Sequence, residues 1–598
     1  MQRLITHLRK IAKITALHSQ ALDLHSRSKR ILQLALDRVA AHRFNSSTGS
    51  PEMNAFKATG MVIQDCIDDF GCHTNLVTWT LSGAYDDSKA VLIDAADSRR
   101  FVTLRRARNL VSLLAGQFRE DSTVCLHLAN DVTYPILTLA ILASSCRWTG
   151  TNPAYTASEL RHHLTTSEAD YIITASEHFD VAQQAVNLSG RAVEIIIFTD
   201  ILSDPTPADL ALAPLDIERL ASANGAALRT LGDLVQHRRP RCVANLTQGI
   251  CPDSTAVLMS TSGTSGFPKI AARSHRALMV EQEAIQDNDR AKPYDVRRLF
   301  CVPCFHAFAA PEMLFNALRL GHTSYFMKRF DSSFAQKIHD YQITETFGPP
   351  PMLSMLVNSP RSYPLLQSLR YIAFGGAPLV PELRRRVLNM FRDPPRIVPV
   401  YGMTEGGWFT TLKYPEQDNT GSLGRAIPGY ELKLDPEVNG GQAGAGEVLV
   451  RGPQLMSGYL NNPSATAEAF AEGGWLRTGD IGCIRDGRVY LIDRAKDLIK
   501  CNGWQVAPVE LENALLQHPD IIDAAAFGVG QDVDEHPMLC AVTASDDLTE
   551  DEVKAHLRSR LTSYKVSKSE IRFVQSIPKS GAGKILKKVL KGQMLGIV

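Results

Sequence analysis

The chain has 598 residues, with 64 Lys and Arg against 63 Asp and Glu, a net charge of +1, 44% hydrophobic residues and 21% charged residues. These are the proportions of an ordinary soluble globular protein with ample core. So even a balance gives no long-range field for nucleic acid or an anionic membrane, so any anion-binding site has to be local.

Residues 1–50 carry nine Lys or Arg and only two acids, Asp23 and Asp37, in an amphipathic, helix-prone stretch. This fits a mitochondrial presequence, an amino-terminal peroxisomal signal through Lys13-Ile14 and Gln20-Ala21, or a solvated extension. Residues 1–55 are therefore read as an N-terminal extension. The tail Leu-Gly-Ile-Val lacks the Ser-Lys-Leu type of peroxisomal signal. An intracellular location is expected, with cytoplasm, peroxisome and mitochondrion left open. The run 132–146 is too short to span a bilayer and is broken by Pro135, so it predicts a buried helix. Eleven cysteines without regular spacing predict reduced thiols.

From residue 88 onward, short apolar runs (90–93, 123–128, 171–174, 194–199) alternate with helix-length amphipathic segments. That alternation predicts an α/β fold with sheets covered by helices. Residues 202–253 lack a sharp period and read as a surface excursion before a strand at 255–259. After Asp493 the pattern 506–517, 523–529, 538–544 and 550–561 alternates helix and strand in a compact α+β unit of roughly 100 residues. The expected organisation is a large multi-layer domain over 56–495 and a small C-terminal domain over 496–598.

The most specific stretch is Thr261-Ser262-Gly263-Thr264-Ser265-Gly266-Phe267-Pro268-Lys269, directly after the predicted strand. Glycines permit close backbone approach, hydroxyls and N–H groups bond phosphate oxygens, and lysine supplies charge. The spacing is not the Walker pattern. A flexible linker is the alternative, disfavoured by the position between a buried strand and a Pro-Lys pair. Cys301-Val302-Pro303-Cys304 with His306 has the look of a redox or zinc motif, but it has no second ligand pair at metal spacing.

The loop resembles the phosphate loop of the adenylate-forming superfamily, and further segments follow in that family's order. They are Val302-Pro303-Cys304-Phe305-His306, Gly375-Gly376-Ala377-Pro378-Leu379, Tyr401-Gly402-Met403-Thr404-Glu405 and Arg451-Gly452-Pro453 with Gly458-Tyr459. Thr478-Gly479-Asp480, Asp493-Arg494-Ala495-Lys496-Asp497 leading to Gly503, and the glycine-rich loop ending at Lys584 complete the series, with Asn152-Pro153-Ala154-Tyr155 and Glu159-Leu160 upstream. The resemblance spans about residues 75 to 590 and is greatest to the acyl-CoA synthetases and 4-coumarate-CoA ligases.

It implies an ATP-dependent acyl-CoA ligase that forms an acyl-AMP with loss of pyrophosphate and passes the acyl group to coenzyme A. The implied acid is medium-chain, aryl-alkanoic or polyketide-derived. Residues Thr261 to Gly266 and Lys269 would hold phosphates, Thr404 the α-phosphate, and Glu405 with Thr261 a Mg²⁺ ion. Asp480 would accept the ribose hydroxyls, while Gly376, Ala377, Pro378, Tyr401, Gly402, Met403, Arg494 and Gln505 complete the nucleotide site. Gly375 and His306 would line the acyl pocket. Lys584 would drive adenylation, with Thr404 and Glu405 as its catalytic partners. Lys496 would be the hinge of a mobile C-terminal domain that brings Lys500, Asn502, Gly503 and Trp504 to the CoA arm. An acyl-AMP ligase loading a carrier protein and a non-catalytic nucleotide-binding regulator are the alternatives. The sequence departs from the family at Ile270, Ser265 and Cys304, and none of these removes a reactive group.

Overall fold

A computed structural model describes residues 75–596, apart from 203–227, 237–241, 262–267, 377–378, 380, 437–443, 495–496, 502–503, 531–534, 546, 562 and 580–584. The chain divides into Met1–Gly71 and Cys72–Val598. The first unit, with the expected extension 1–55, lies outside the described residues.

Two large sheets form the body of the second unit. The first has nine strands in the order Arg425–Ala426, Gly407–Thr411, Arg396–Met403, Tyr371–Gly375, Glu345–Gly348, Arg297–Phe300, Thr323–Phe326, Ala90–Asp94 and Phe101–Thr103. Its centre is parallel and its edges are antiparallel. Parallel strands covered on both faces read as unbroken apolar runs, and all five residues of Tyr371–Gly375 are buried. The second sheet has eight strands: Gly458–Tyr459, Ile270–Ser274, Thr255–Ser260, Arg147–Gly150, Thr123–His127, Tyr171–Thr174, Glu194–Ile197 and Arg229–Thr230.

The segment read as a surface excursion is partly built into this sheet. Arg229–Thr230 pairs in parallel with Ile196 and Ile197, and Thr230 then caps the helix Leu231–Val235. Two residues are too short a strand to leave a period in the sequence.

Helix Tyr134–Ala143 falls within the run 132–146. All ten of its residues are buried, which explains an apolar composition without a polar face. Helix Ala157–Thr166 starts with a capping box in which Thr156 and Glu159 satisfy each other's backbone N–H groups. Leu160 on the same helix is fully buried, so one short motif sets both the start and the inner face of the helix.

A third, antiparallel sheet joins Glu431–Asp435, Gly446–Arg451, Trp475–Arg485 and Phe470–Ala471, with Arg488–Arg494 paired to Trp475–Arg485. Beyond it, the hairpin Ile499–Cys501 and Trp504–Val506 precedes helix Pro508–Leu515 and a three-stranded sheet of Ile521–Val529, His536–Thr543 and Glu570–Phe573. This last part has its own apolar core, including Leu511, Leu515, Leu539, Val553, Leu557 and Ile571. Among the described residues no helix is long and apolar enough to cross a membrane.

Candidate active site

Ligands of open α/β sheets bind beyond the carboxyl ends of the strands. Thr261, Gly375, Gly376 and Thr404 all fall at such ends, after or within Thr255–Ser260, Tyr371–Gly375 and Arg396–Met403. The base of the glycine-rich loop is closed by two bonds. The Thr261 N–H donates to the Lys269 carbonyl at 2.8 Å, and the Lys269 N–H donates to Thr261 Oγ1 at 3.2 Å. Ser262, Gly263, Thr264, Ser265 and Gly266 lie outside the described residues. Ile270, where the family carries glycine, is buried against Leu258, Ala272 and Leu460, so this departure alters packing beside the loop.

Lys269 is tied to the Thr-Glu turn through one aromatic ring. Its Nζ stands 4.8 Å from the centre of the Tyr459 ring, and the Tyr459 hydroxyl donates to Glu405 Oε1 at 2.7 Å. Tyr459 gets there because Gly458–Tyr459 pairs with Ala272 and Ala271 on the strand returning from the loop. Glu405 is only 6% exposed. Burial is the largest influence on its carboxyl group and pushes its pKa up, opposed by the Tyr459 hydrogen bond and by the more distant charges of Arg494 and Lys269. A buried carboxylate with a hard oxygen donor set and incomplete charge compensation suits a divalent cation, so the residues fit the Mg²⁺ expected here.

A second cluster adjoins the first. Tyr401 donates its hydroxyl to Asp480 Oδ2 at 2.9 Å, and Arg494 Nε stands 3.0 Å from Asp480 Oδ1. Asp480 and Arg494 are cross-strand partners, which sets the contact by register. The acidic partner, foremost Asp480, raises the Arg494 pKa against the opposing effect of burial. Tyr401 lies on the strand leading into Thr404, so both clusters share one piece of backbone. Gly402 is required there, because a Cβ would come 2.0 Å from the Gly407 carbonyl oxygen.

The residues expected at the acyl end are also brought together. A Cβ on Gly375 would stand 2.8 Å from the Phe308 ring. Phe308 in turn stacks on Trp408, with ring centres 6.2 Å apart, and accepts the Trp408 indole N–H at its carbonyl at 3.0 Å. His306 is half-buried and accepts the Phe308 N–H at Nδ1, 3.3 Å away. Burial lowers its imidazole pKa, favouring the neutral ring. Upstream, Asn130 clamps this turn: it donates to the carbonyls of Val302 and Met327 and accepts the Cys304 N–H at 2.9 Å. Cys301 and Cys304 are buried thiols, their pKa values raised by burial.

Lys584, Lys496, Asn502, Gly503, Ala377 and Pro378 lie outside the described residues, as do the side chains of Lys500, Trp504 and Gln505. The backbone on either side of Lys584 is described. Lys579 and Ile585 form an antiparallel bridge, and Lys579 Nζ reaches Asp523 at 2.6 Å. Lys500 and Gln505 are register partners in the hairpin. Met403 and Thr404 are half-buried beside Glu405, and Gly376 takes a left-handed φ of 82° at its strand end.

Sequence reasoning did not assign roles to Tyr459, Asn130, Arg273 or Glu281. Tyr459 was visible as part of a motif, but its contact with Glu405 arises only when 458–459 joins the strand after the phosphate loop. Asn130 could have been flagged as a polar residue ending an apolar strand.

Comparison with known proteins identifies the family. Residues 85–460 match the family described as AMP-binding enzyme, and residues 510–584 match the AMP-binding enzyme C-terminal domain. An acyl-CoA ligase of Phoma sp. is 47% identical over 529 residues, covering 87% of this chain and 96% of the relative. A phenylacetyl-CoA ligase of Aspergillus niger is 35% identical over 536 residues, covering 86% and 96%. In fold, the crystal structure of ATP-bound MatB from Rhodopseudomonas palustris is similar with a TM-score of 0.72 at 23% identity, covering 88% of this chain and 99% of that one. With the family match spanning most of the chain and relatives aligned almost end to end, the chain belongs to the AMP-binding enzymes of the adenylate-forming superfamily.

Proposed function

We propose that this chain is an AMP-forming acyl-CoA ligase. The observation that carries the reading is the continuous set Lys269–Tyr459–Glu405, joined along the Tyr401–Thr404 backbone to Asp480 and Arg494. This supports the reading, because a cation, a buried carboxylate and a second carboxylate lie around one strand end, and their chemistry suits the attack of a carboxylate on a nucleotide phosphate. Two anions have to meet, so fixed positive charge and dipoles are the main catalytic need.

In the first step an acid oxygen bonds to the α-phosphorus of ATP and the bond to the pyrophosphate oxygen breaks. Lys269 and the loop Ser262–Gly266 hold the leaving phosphates, Thr404 bonds the α-phosphate, and Lys584 offsets charge on the entering and leaving oxygens. Asp480 anchors the ribose, aided by Arg494 and Tyr401, while Gly376, Ala377, Pro378, Gly402, Met403 and Gln505 enclose the nucleotide. Glu405 and Thr261 would hold Mg²⁺, which would supply electrostatic neutralisation of the phosphate oxygens. In the second step the thiol sulfur of coenzyme A bonds to the acyl carbon and AMP leaves with the electron pair. A hinge at Lys496, between a large domain over 56–495 and a small one over 496–598, exchanges Lys584 for the face around Lys500, Asn502, Gly503 and Trp504. His306 and Gly375 border the acyl group.

The name of the Aspergillus niger relative supports including phenylacetate and other aryl-alkanoic acids among the substrates tested. The test is ATP consumption against a panel of medium-chain, aryl-alkanoic and polyketide-derived acids, with acyl-AMP and acyl-CoA resolved by mass spectrometry. The expected result is acid-dependent AMP and acyl-CoA. Acyl-AMP that is passed only to a carrier protein, or ATP binding without turnover across the panel, would overturn the ligase reading.

A further inference from the structure

The turn that bears Glu405 is held by more than its own hydrogen bonds. Its backbone is pinned at three places: Met456 N–H donates to the Glu405 carbonyl at 2.7 Å, Tyr430 hydroxyl to the Gly406 carbonyl at 2.5 Å, and Trp408 N–H to Glu281 Oε1 at 3.0 Å. Glu281 lies on helix His275–Ile285, which follows the strand leaving the phosphate loop. Its carboxylate is 0% exposed and faces Arg273, 1% exposed, with Arg273 Nη1 2.9 Å from Glu281 Oε2. Arg273 also donates through Nε and Nη2 to the Gln454 carbonyl, at 3.2 and 2.8 Å. Gln454 lies two residues before Met456 and five before Tyr459, the two residues that bond Glu405 from the other side.

One buried ion pair therefore meets three segments that surround Glu405. Arg273 belongs to the strand returning from the phosphate loop, Glu281 holds Trp408 just beyond the Thr-Glu turn, and Gln454 opens the segment that delivers Met456 and Tyr459. The fit at Gly407 is tight: its φ is +74°, and a Cβ there would stand 1.9 Å from Glu281 Oε1. Hydrophobic replacement of such a buried pair is often neutral or stabilising, so stability alone does not account for its presence. What apolar side chains of the same volume lack is the directed acceptor for Trp408 and the two donors to Gln454. Burial pushes the Glu281 pKa up, and Arg273 is the largest influence opposing it.

We propose that Arg273 and Glu281 are a positioning pair that fixes the Thr404–Glu405 turn relative to the phosphate loop for acyl-AMP formation. The inference rests on the ligase reading. It assigns the pair to the first half-reaction alone, because thioester formation from a finished acyl-AMP needs no grip on pyrophosphate or on the metal.

The test uses the full chain with an acid shown to be a substrate. Glu281→Gln and the double variant Arg273→Met/Glu281→Leu are compared with the parent in three assays: acyl-AMP formation across a Mg²⁺ titration, thioester formation from supplied acyl-AMP and CoA, and thermal unfolding. The double variant leaves the Trp408 N–H and the Gln454 carbonyl without these partners, so it is expected to stay folded with a lowered unfolding temperature. Its maximal rate of acyl-AMP formation should fall about 100-fold, the size of a misplacement of roughly 1 Å, while KM for ATP changes little. Its Mg²⁺ requirement should rise, and its thioester step should stay within about twofold of the parent. Glu281→Gln keeps an acceptor for Trp408, so a smaller loss of acyl-AMP formation with the same rise in Mg²⁺ requirement is expected, and this variant carries the test if the double variant does not fold. Unchanged acyl-AMP formation in a folded variant, or equal loss in both half-reactions, would overturn the proposal. A parent that forms no acyl-AMP from any acid would instead overturn the ligase reading itself.

Discussion

At the scale of single residues, Glu405 and Tyr459 separate charge from positioning. Glu405→Gln removes the negative oxygen that suits Mg²⁺ while keeping the shape, and acyl-AMP formation should fall by about 10²–10³-fold, in the range found for loss of one preorganised electrostatic group. Tyr459→Phe keeps the ring over Lys269 and removes one hydrogen bond to a charged group. That bond contributes about 1.5–3 kcal/mol, so a loss of roughly ten- to a hundredfold is expected. Single-turnover kinetics with saturating ATP checks both.

Asp493 gives a pH-dependent prediction. Its carboxylate accepts the N–H groups of Arg494 and of Val509 at the start of helix Pro508–Leu515, yet burial raises its pKa from 3.8 to about 6. A raised carboxyl pKa means that the folded state binds the proton more tightly than the unfolded chain. The associated stability is fully present below about pH 4 and is lost as pH rises through about 6. One pKa unit is about 1.4 kcal/mol, so the loss is at most about 3 kcal/mol. Asp493→Asn should remove this slope, as measured by denaturant unfolding at closely spaced pH values. A parallel pH dependence in parent and variant would contradict it.

At the scale of elements, helix Tyr134–Ala143 packs against strand Arg147–Gly150 and is buried along its whole length, so loss of its packing is costly. Leu139 is fully buried in helix Tyr134–Ala143, and Leu139→Ala should destabilise the chain by about 2–5 kcal/mol in an unfolding titration. Much of this level was legible in the sequence. The apolar runs at 123–128, 171–174 and 194–199 became parallel strands because strands buried on both faces show no alternation to misread. The motif around Tyr155 and Glu159 was legible as a pattern, and the structure supplies its cause in the Thr156 capping box. Arg229–Thr230 was not legible, because its pairing with Ile196 and Ile197 comes from the neighbouring edge rather than from its own residues. The Arg273–Glu281 pair escaped for a related reason. Charges eight positions apart suggest no contact, and only the turn from strand Ile270–Ser274 into helix His275–Ile285 makes them face each other. Charged residues inside otherwise apolar segments were the available signal.

At the scale of the whole molecule, the strand ends at Thr261 and at Gly375 belong to different sheets. Asn130 follows a strand of the second sheet and holds the turn before His306 that follows a strand of the first. The chemistry expected of Lys584 belongs to the C-terminal part, which has a core of its own. The proposed ligase uses one cleft for two reactions, and they should be separable. Lys584→Ala is expected to lose acyl-AMP formation by about 10²-fold or more, yet to convert supplied acyl-AMP and CoA into thioester at nearly the parent rate. Equal loss in both steps would mean that Lys584 acts through folding or binding rather than on the first displacement.

The central claim is that a carboxylate oxygen attacks the α-phosphorus of ATP, and the path of that oxygen tests it most directly. A substrate acid labelled with ¹⁸O in its carboxyl group is turned over with ATP, Mg²⁺ and CoA, and the nucleotide products are weighed by mass spectrometry. The account predicts AMP carrying one labelled oxygen, released when the thiol takes the acyl group, with unlabelled pyrophosphate. Label in inorganic phosphate with ADP as the nucleotide product, or AMP formed without label, would contradict it.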